Sequence, residues 1–429
     1  MNTFIKNLPL HLDKTVTVKG WIYNFRSSGK IAFLQLRDGS GFCQAIVSQP
    51  AVAPNVWGKI AKITLETSAI VTGKVSKHPK KEEYELQVED LELVQIAEDY
   101  PIGKKEHGPD FLLDNRHLWL RSPRQWAIQR IRHTISYATF EWMDQHHFLR
   151  MDAPILTPAA CEGTTTLFEV PYFDLGKAYL SQSGQLYSEA AIFAHGRCYD
   201  FGPVFRAEKS KTRRHLTEFW MMDAEAAFVE HDENLKIQEG LVSFIVKKVL
   251  EKNRNELKIL ERDTAPLEKI VAPFYRLTHS QAIQKLHALG SDIKDEEDLG
   301  GDDETKLSQS YDKPVFIEKY PAKVKAFYMK RDPQNPELAL CADLLAPEGY
   351  GEIIGGSQRE ESIDVLLERL QEHNLPRASF EWYLDLRKYG SVPHSGFGFG
   401  LERLVSWICK LDHVRESIPF PRMIYRNTP

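Results

Sequence analysis

Cysteine is scarce in this sequence, and the few cysteines lie far apart. Five occur among 429 residues, and no two of them form a CxxC pair. A disulfide framework and a zinc knuckle both need closely spaced pairs, so the spacing argues against both. We expect these side chains to be small buried hydrophobes; they are Cys43, Cys161, Cys198, Cys341 and Cys409.

Long apolar runs and a strong charge imbalance are also lacking. No stretch approaches the roughly 20 apolar residues that a membrane-spanning helix needs. The opening Met-Asn-Thr-Phe-Ile-Lys does not read as a secretory leader. We therefore expect a cytoplasmic protein with no membrane partner. The formal net charge of −5 argues against a histone-like binder, although a local basic stripe for nucleic acid remains compatible with it.

The length predicts more than one domain, because 429 residues exceed one ordinary core. Short β-branched runs between Thr15 and Val94, separated by turn residues, predict a small five-stranded barrel. Segment 101–122 begins with Pro and Gly among charged residues, which is typical of a linker or hinge. The predicted domains are therefore 1–100 and 123–429, joined by 101–122.

Two amphipathic helices and one acidic segment are predicted in the larger domain. Apolar residues step by three and four from Ile128 to Trp142, and again within 232–253. Residues 292–304 read DIKDEEDLGGDDE, which suits a metal loop or a solvated loop. The lack of apolar anchors favours the solvated loop.

Two motifs carry most of the chemical information. Residues 203–219 read PVFRAEKSKTRRHLTEF, in which Arg206 and Glu208 project to the same side of a predicted strand. A basic loop and an aromatic residue follow. Residues 396–403 read GFGFGLER and place Arg403 at the start of an apolar helical pattern. Two arginines from such distant segments can clamp one triphosphate.

With these motifs the sequence resembles the class II aminoacyl-tRNA synthetases of the aspartyl, asparaginyl and lysyl subgroup, and most of all the asparaginyl enzymes. The helix and strand ending at Pro154 and the IPFPR segment at 418–422 belong to the same pattern, which covers nearly the whole chain. The resemblance implies an α+β homodimer. Its parts are an N-terminal OB-fold β-barrel that reads the anticodon and a catalytic domain built on an antiparallel sheet flanked by helices.

The implied reaction joins asparagine to ATP as asparaginyl-adenylate and transfers the asparaginyl group to tRNA(Asn). A carboxylate is already a nucleophile, so the reaction needs alignment and charge neutralisation more than proton transfer. The resemblance implies that Arg206, Glu352 and Arg403 are catalytic. The implied ATP-binding residues are Arg206, Glu208, Arg214, His215, Phe219, Glu352, Gly400 and Arg403.

A magnesium site and an amino-acid pocket are implied as well. Asp343 and Glu352 offer the hard oxygen ligands that Mg²⁺ prefers. The implied amino-acid-binding residues are Glu162, Ser183, Gln185, Ser188, Glu189, Asp223 and Arg359.

Selectivity for asparagine is expected from three of these residues. Aspartyl enzymes usually have Lys where this chain has Ser188. Arg359 and Glu189 together satisfy the oxygen and the NH₂ group of a carboxamide. The alternative is that Glu189 pairs structurally with Arg197 or another base.

The resemblance implies that Arg26, Phe33 and Gln44 bind the anticodon, with Phe33 stacking on its middle base. The alternative for Phe33 is packing inside the barrel.

Three other functions remain open at this stage. They are an aspartyl enzyme, non-discriminating or not, a tRNA-independent asparagine-making ligase, and a silent RNA-binding paralogue. Ser188 and Glu189 argue against the first, and the predicted barrel argues against the second. The presence of Arg206, Glu352 and Arg403 argues against the third.

Overall fold

The structure, a computed structural model, describes residues 1–103, 105–158, 161 and 166–429. The chain divides into two compact units, Met1–Leu112 and Leu113–Pro429. Within the described residues, every helix is too short or too polar to pass through a bilayer. All five cysteines are buried free thiols, as expected.

The first unit is a closed five-stranded barrel, which confirms the prediction. Its strands follow one another in the order β1-β2-β3-β5-β4. Residues such as Val16 and Val18 of the first strand point inward because side chains alternate along a strand. The elements of this unit are β1 (Thr15–Ser28), β2 (Ile31–Arg37), β3 (Phe42–Ser48), α1 (Pro54–Trp57), β4 (Thr67–Lys77) and β5 (Tyr84–Gln95).

Twelve further helices are described in the rest of the chain. They are α2 (Pro109–Asp114), α3 (Arg116–Trp119), α4 (Pro123–Gln145), α5 (Gln185–His195), α6 (His231–Lys252), α7 (Arg254–Ile259), α8 (Ala265–Glu268), α9 (His279–Ala288), α10 (Gly301–Ser308), α11 (Ile363–Glu372), α12 (Glu381–Lys388) and α13 (Leu401–Cys409). Both predicted amphipathic helices are confirmed as α4 and α6. Ser122 caps α4 by accepting a hydrogen bond from the Gln125 amide at 3.3 Å, and Pro123 suits its first turn.

The remaining strands are β6 (Leu149–Arg150), β7 (Leu156–Thr157), β8 (Glu169–Pro171), β9 (Lys177–Leu180), β10 (Arg197–Phe205), β11 (Glu218–Ala227), β12 (Tyr275–Thr278), β13 (Val315–Glu318), β14 (Arg331–Asp332), β15 (Asn335–Ala339), β16 (Cys341–Ala346), β17 (Gly351–Gln358) and β18 (His394–Gly400). Eight of them form the central sheet, in the order β12-β13-β16-β17-β18-β11-β10-β6. Its pairs are antiparallel except β12 with β13 and β10 with β6 at the two ends.

The two faces of this sheet differ in chemistry. Met222 and Ala224 of β11 and Phe397 and Phe399 of β18 point to the back face, where they join one core with α4, α6 and α13. Because side chains alternate along a strand, Phe219, Met221, Asp223 and Glu225 of β11 share the opposite face. On β18 that front face carries His394 at the start of the strand and then glycines at positions 396, 398 and 400. The front face is therefore open and polar.

The acidic segment 292–304 is not simply a solvated loop. Helix α10 begins within it at Gly301. The carboxylate of Asp298 accepts a hydrogen bond from Lys325 Nζ at 3.1 Å, and that of Glu304 accepts one from Arg214 Nη1 at 2.7 Å. The expectation of a fully solvated loop is wrong at Glu304, where 14% of the side chain is exposed beside Arg214, whereas the Asp298 side chain remains 50% exposed.

Candidate active site

A cavity of about 320 Å³ opens on the front face of the sheet. All eight predicted ATP-binding residues line it. The complete lining is Arg206, Glu208, Arg214, His215, Leu216, Phe219, Met221, Glu352, Ile353, Gly398, Gly400, Glu402, Arg403 and Val414.

Arg206 and Arg403 reach this cavity from distant parts of the chain. Arg206 follows β10 and lies over the Phe219 ring, with 5.5 Å between its guanidinium carbon and the ring centroid. Its Nη1 donates to the Gln182 carbonyl. Arg403 lies in the first turn of α13, where its Nη1 donates to Glu352 Oε2 at 2.8 Å. Two guanidinium groups and one aromatic face therefore border a single cavity.

Arg214 and His215 belong to the loop between β10 and β11. Arg214 is held by Glu304 Oε2 at 2.7 Å and by the Gly349 carbonyl at 2.9 Å. Burial lowers the pKa of Arg214 and also that of His215. Burial therefore works against a positive charge on each, and an anion in the cavity would compensate for that cost.

Asp343 on β16 and Glu352 on β17 meet above Gly355. A Cβ built at Gly355 would lie 3.2 Å from Glu352 Oε1 and 3.6 Å from Asp343 Oδ1. Burial raises the pKa of Asp343 to about 6; Lys325 opposes this shift, and Glu352 adds like charge. Burial also raises the pKa of Glu304 to about 7, again with Glu352 contributing.

These carboxyl groups fit a magnesium ion bound mainly through substrate phosphates. Among the described residues, no group of three His, Cys, Asp or Glu side chains could hold a metal ion. Mg²⁺ in nucleotide sites usually takes one or two carboxylates, with water and phosphate oxygens completing its shell. Asp343 and Glu352 supply two such oxygens, and their crowded negative charge would be relieved by a cation.

Beyond the cavity, the front face carries a buried ion pair between Arg359 and Glu225. Arg359 Nε donates to Glu225 Oε2 at 3.2 Å, its Nη2 donates to Glu225 Oε1, and its Nη1 donates to Ser357 Oγ at 2.7 Å. Burial and the nearby Glu189 and Asp223 carboxylates raise the pKa of Glu225, whereas its two hydrogen bonds from Arg359 oppose this shift and favour the ionised form. A further negative charge at this place would be costly.

The glycines of β18 leave room for the acids of β11. Gly396 pairs with Glu225 and Gly398 with Asp223 across the two strands. A Cβ at Gly396 would overlap the Glu225 carboxyl group, and one at Gly398 would lie 2.5 Å from Asp223 Oδ1. The Gly-rich stretch therefore makes space for carboxylates as well as for the cavity.

The other predicted amino-acid-binding residues lie at the start of α5 or beside it. Ser183 Oγ donates to Asp223 Oδ2 at 2.9 Å and accepts from the Gln185 amide at 3.0 Å. Ser188 is buried, and its hydroxyl has no hydrogen-bond partner among the described residues. Glu189 is buried with four hydrogen-bond partners, and Arg197 is not one of them. Glu162 lies outside the described residues.

The predicted anticodon residues lie on the outside of the barrel. Arg26 stacks on Phe33 across β1 and β2, with 4.5 Å between its guanidinium carbon and the ring centroid. Phe33 is partly exposed, and it alternates with buried Ala32 and Leu34, so its ring is not part of the barrel core. Gln44 accepts from Gln35 at 2.9 Å and donates to Glu85 at 2.7 Å.

Several charged residues at the site were missed by the sequence reasoning. Glu225 could have been found by following the alternation of β11 beyond Phe219. Glu304 and Lys325 carry no local signal, because their partners Arg214 and Asp343 lie elsewhere in the chain.

Comparisons with known proteins agree with this geometry. The family described as tRNA synthetases class II (D, K and N) matches residues 108–424, and the OB-fold nucleic acid binding domain matches residues 16–94. The chain belongs to the class II tRNA synthetases of the D, K and N group. The expected α+β fold class, an OB-fold barrel plus a class II catalytic domain, is thereby confirmed.

Within this group, relatives that are 52–54% identical to this chain are asparagine enzymes. The asparagine–tRNA ligase of Desulforamulus reducens is 54% identical over 428 residues, covering 100% of this chain and 99% of the relative. That of Pelotomaculum thermopropionicum is 54% identical over 426 residues, covering 99% of each. The crystal structure of Pyrococcus horikoshii asparaginyl-tRNA synthetase complexed with asparaginyl-adenylate has a TM-score of 0.96 and 43% identity, covering 100% of both chains.

Proposed function

We propose that the protein is an asparagine–tRNA ligase, which forms asparaginyl-adenylate from asparagine and ATP and transfers the asparaginyl group to tRNA(Asn). The observation that carries this proposal is the contiguous front face of β11. Phe219 and Met221 line the nucleotide cavity, and Glu225 lies further along the same face beside Arg359. A nucleotide and a small polar amino acid can therefore bind side by side.

ATP is positioned in this proposal by groups that need no proton transfer. Phe219 stacks on adenine, Arg206 neutralises the α-phosphate as the carboxylate attacks it, and Arg403 holds the γ-phosphate. Fixed guanidinium groups of this kind stabilise developing charge because they are already oriented before the reaction. Glu208, Arg214, His215 and Gly400 complete the nucleotide site.

Magnesium is proposed to be held by Asp343 and Glu352. When bound, it would neutralise phosphate charge. Glu352 is already bonded to Arg403, so the same carboxylate would align the arginine with the metal-bound phosphates.

Selectivity for asparagine follows from charge around Arg359. Arg359 can donate to the side-chain oxygen of the substrate, and Glu225 accepts from its NH₂ group. Aspartate would instead bring a carboxylate next to Glu225, and no lysine is available at Ser188 to compensate. Like-charge contacts of this kind cost several kcal/mol in a water-poor pocket, roughly 10²-fold or more in selectivity.

The barrel is proposed to read the anticodon of tRNA(Asn). Phe33 would stack on the middle base, and Gln44 would hydrogen-bond its edge, with Arg26 near the backbone. The partial exposure of Phe33 and the stacked guanidinium support this role.

A homodimer is proposed, working in the cytoplasm with the translation machinery. The feature that supports it is an aromatic patch (Tyr137, Phe140, Phe201 and Trp220), in which Tyr137 and Trp220 are exposed and Phe201 is buried. Phe201 lies on β10, which neighbours the edge strand β6. Successive rings of this patch lie 6.1, 5.1 and 5.8 Å apart. Tyr137 is 61% exposed, and an exposed aromatic side chain within an apolar patch is typical of a protein–protein interface.

The proposal is tested by ATP–pyrophosphate exchange with asparagine and aspartate side by side, followed by aminoacylation of tRNA(Asn). We expect exchange with asparagine only, and loss of about 10²–10³-fold in rate for Arg206→Ala. Equal exchange with aspartate would make the protein a non-discriminating aspartyl enzyme. Asparagine formation without tRNA charging would make it an asparagine-making ligase.

A further inference from the structure

Glu189 lies at the centre of a fully buried polar cluster (Gln185, Glu189, Tyr383, Arg387 and His394). Its Oε2 accepts from Tyr383 Oη at 2.7 Å and from Arg387 Nη2 at 2.9 Å, and His394 Nε2 lies 3.1 Å away. Its Oε1 accepts from Gln185 Nε2 at 3.1 Å. The side chain has no exposed surface, so a substrate cannot readily reach it.

The carboxylate of Glu189 is held in its ionised form. Burial alone would favour the neutral form, but Arg387 and His394 lower the pKa of Glu189 below its ordinary value. An ionised carboxylate only accepts hydrogen bonds. The amide of Gln185 must therefore turn its NH₂ group toward Glu189 and its carbonyl oxygen the other way.

The carbonyl oxygen of Gln185 is available to a ligand. Among the described residues nothing donates a hydrogen bond to this oxygen. It is also not among the fully buried polar atoms that lack a partner, so part of its surface is exposed. The backbone N–H of Gln185 donates to the hydroxyl of Ser183 at 3.0 Å, and that hydroxyl donates to the Asp223 carboxylate at 2.9 Å. Residue 185 and the charged Asp223 therefore lie close together at the start of α5.

We infer that Glu189 is a positioning residue that fixes the amide of Gln185, so that its carbonyl accepts a hydrogen bond from the α-ammonium group of asparagine. This inference rests on the proposed function and changes the role given to Glu189 by the sequence. Asparagine and aspartate share the ammonium group, so the hydrogen bond that Glu189 positions through Gln185 acts on both substrates alike. Glu225, which contacts Arg359 at 3.2 Å, acts on the end of the substrate where they differ.

The test compares Glu189→Gln with Glu225→Gln, two isosteric changes in neighbouring buried carboxylates. A glutamine at 189 offers a donor as well as an acceptor, so Gln185 can turn over and direct its NH₂ group at the substrate ammonium. We expect the KM for asparagine in exchange to rise by about tenfold or more, which is the loss of one hydrogen bond to a charged group. The weak activity with aspartate should fall by the same factor.

Succinamic acid, which is asparagine without its α-amino group, provides the decisive readout. As a competitive inhibitor it should bind Glu189→Gln and the unmodified protein equally well, because it has no ammonium group to lose. Glu225→Gln should show the reverse pattern, with weaker succinamic acid binding and an altered asparagine-to-aspartate ratio. A changed ratio or weaker succinamic acid binding in Glu189→Gln would show that Glu189 reads the carboxamide, and an unchanged KM would remove it from recognition altogether.

Calorimetric ATP binding verifies that the Glu189→Gln protein is folded. If it is not, Tyr383→Phe removes one donor to Glu189 and keeps the ring. In that variant the KM for asparagine should rise by about two- to fivefold, since one of several donors is lost, and succinamic acid should bind as it does to the unmodified protein. Any other combination of KM and succinamic acid binding would overturn the inference. Failure of the unmodified protein to exchange with asparagine would instead count against the proposed function.

Discussion

At the scale of single residues, two ion pairs separate two proposed tasks. The partly exposed pair of Arg403 and Glu352 borders the proposed nucleotide cavity, and the buried pair of Arg359 and Glu225 lies at the proposed amino-acid end. Removing each ion pair from water costs free energy, and only good hydrogen-bond geometry offsets that cost. The position of Arg403 and Glu352 in the lining of the cavity indicates that binding, more than stability, accounts for that pair.

Glu225→Gln should reduce selectivity for asparagine. The substitution removes the like charge that opposes aspartate while keeping the shape of the side chain. We expect the ratio of kcat/KM for asparagine over aspartate to fall by about 10- to 100-fold, or about 1.4 to 2.8 kcal/mol. Exchange assays with both amino acids measure this ratio. Glu233→Gln, at a surface pair with Arg197, serves as the control, and an unchanged ratio in Glu225→Gln would rule out the charge argument.

His413 should make stability depend on pH. Burial and the nearby Arg415 lower the pKa of His413 to about 4, whereas an unfolded histidine titrates near 6.5. Between these values the unfolded chain binds a proton that the folded protein does not, so stability falls as pH decreases from about 6.5 to about 4.

His413→Asn should lessen this acid sensitivity. Asparagine can still accept from the Arg415 amide, as His413 Nδ1 does at 3.2 Å. On moving from pH 7.5 to 5.0, we expect the unmodified protein to lose about 1–2 kcal/mol more than the variant. Thermal unfolding at both pH values measures the difference, and parallel losses in the two proteins would contradict the shift.

At the scale of elements, the C-terminal segment 416–429 is anchored from the start of the larger unit. Arg116 of α3 is fully buried and donates to the carbonyls of Glu416, Ile418 and Pro419. Further along, the Arg422 carbonyl accepts from the Thr217 amide at 3.0 Å, just before β11. The anchor is therefore coupled to the hairpin that carries Phe219.

Arg116→Met should loosen this segment. The change keeps most of the side-chain volume but leaves three carbonyls without a donor, which should cost about 2–4 kcal/mol. Thermal unfolding and hydrogen exchange of residues 414–424 measure the effect. Arg377→Met, at an exposed pair with Glu381, should cost less than about 0.5 kcal/mol. Equal effects of the two substitutions would show that Arg116 is no anchor.

The elements also show what the sequence could predict. The sequence could predict the barrel, α4, α6 and the eight cavity residues, because periodicity and two dense motifs report local structure. The distant partners of Glu189 could not be predicted, since Tyr383 and Arg387 lie on α12, almost 200 positions away, and no local pattern links them to Glu189. The prediction for Glu304 was wrong for a different reason. Glu304 lies in a charged run whose composition indicates exposure to solvent, and only the fold brings Arg214 to it.

At the scale of the whole molecule, the proposed homodimer would cover the aromatic patch around Tyr137. In solution we expect a mass of about twice 49.3 kDa. Tyr137→Glu puts an unpaired charge in the interface and should weaken dimerisation by about 100-fold, or about 3 kcal/mol. Sedimentation velocity measures this. Tyr389→Glu, at a similarly exposed tyrosine outside the patch, should leave the mass unchanged. A monomeric unmodified protein would contradict the proposed dimer.

The overlap between a Cβ at position 396 and the Glu225 carboxyl group makes these two positions interdependent. Alanine at 396 would be tolerated only after the residue at 225 had become shorter, so a mutational route that changes position 396 must change position 225 first. Redesign of the pocket should therefore vary the two positions as a pair, because libraries that vary 396 alone would return mostly inactive proteins.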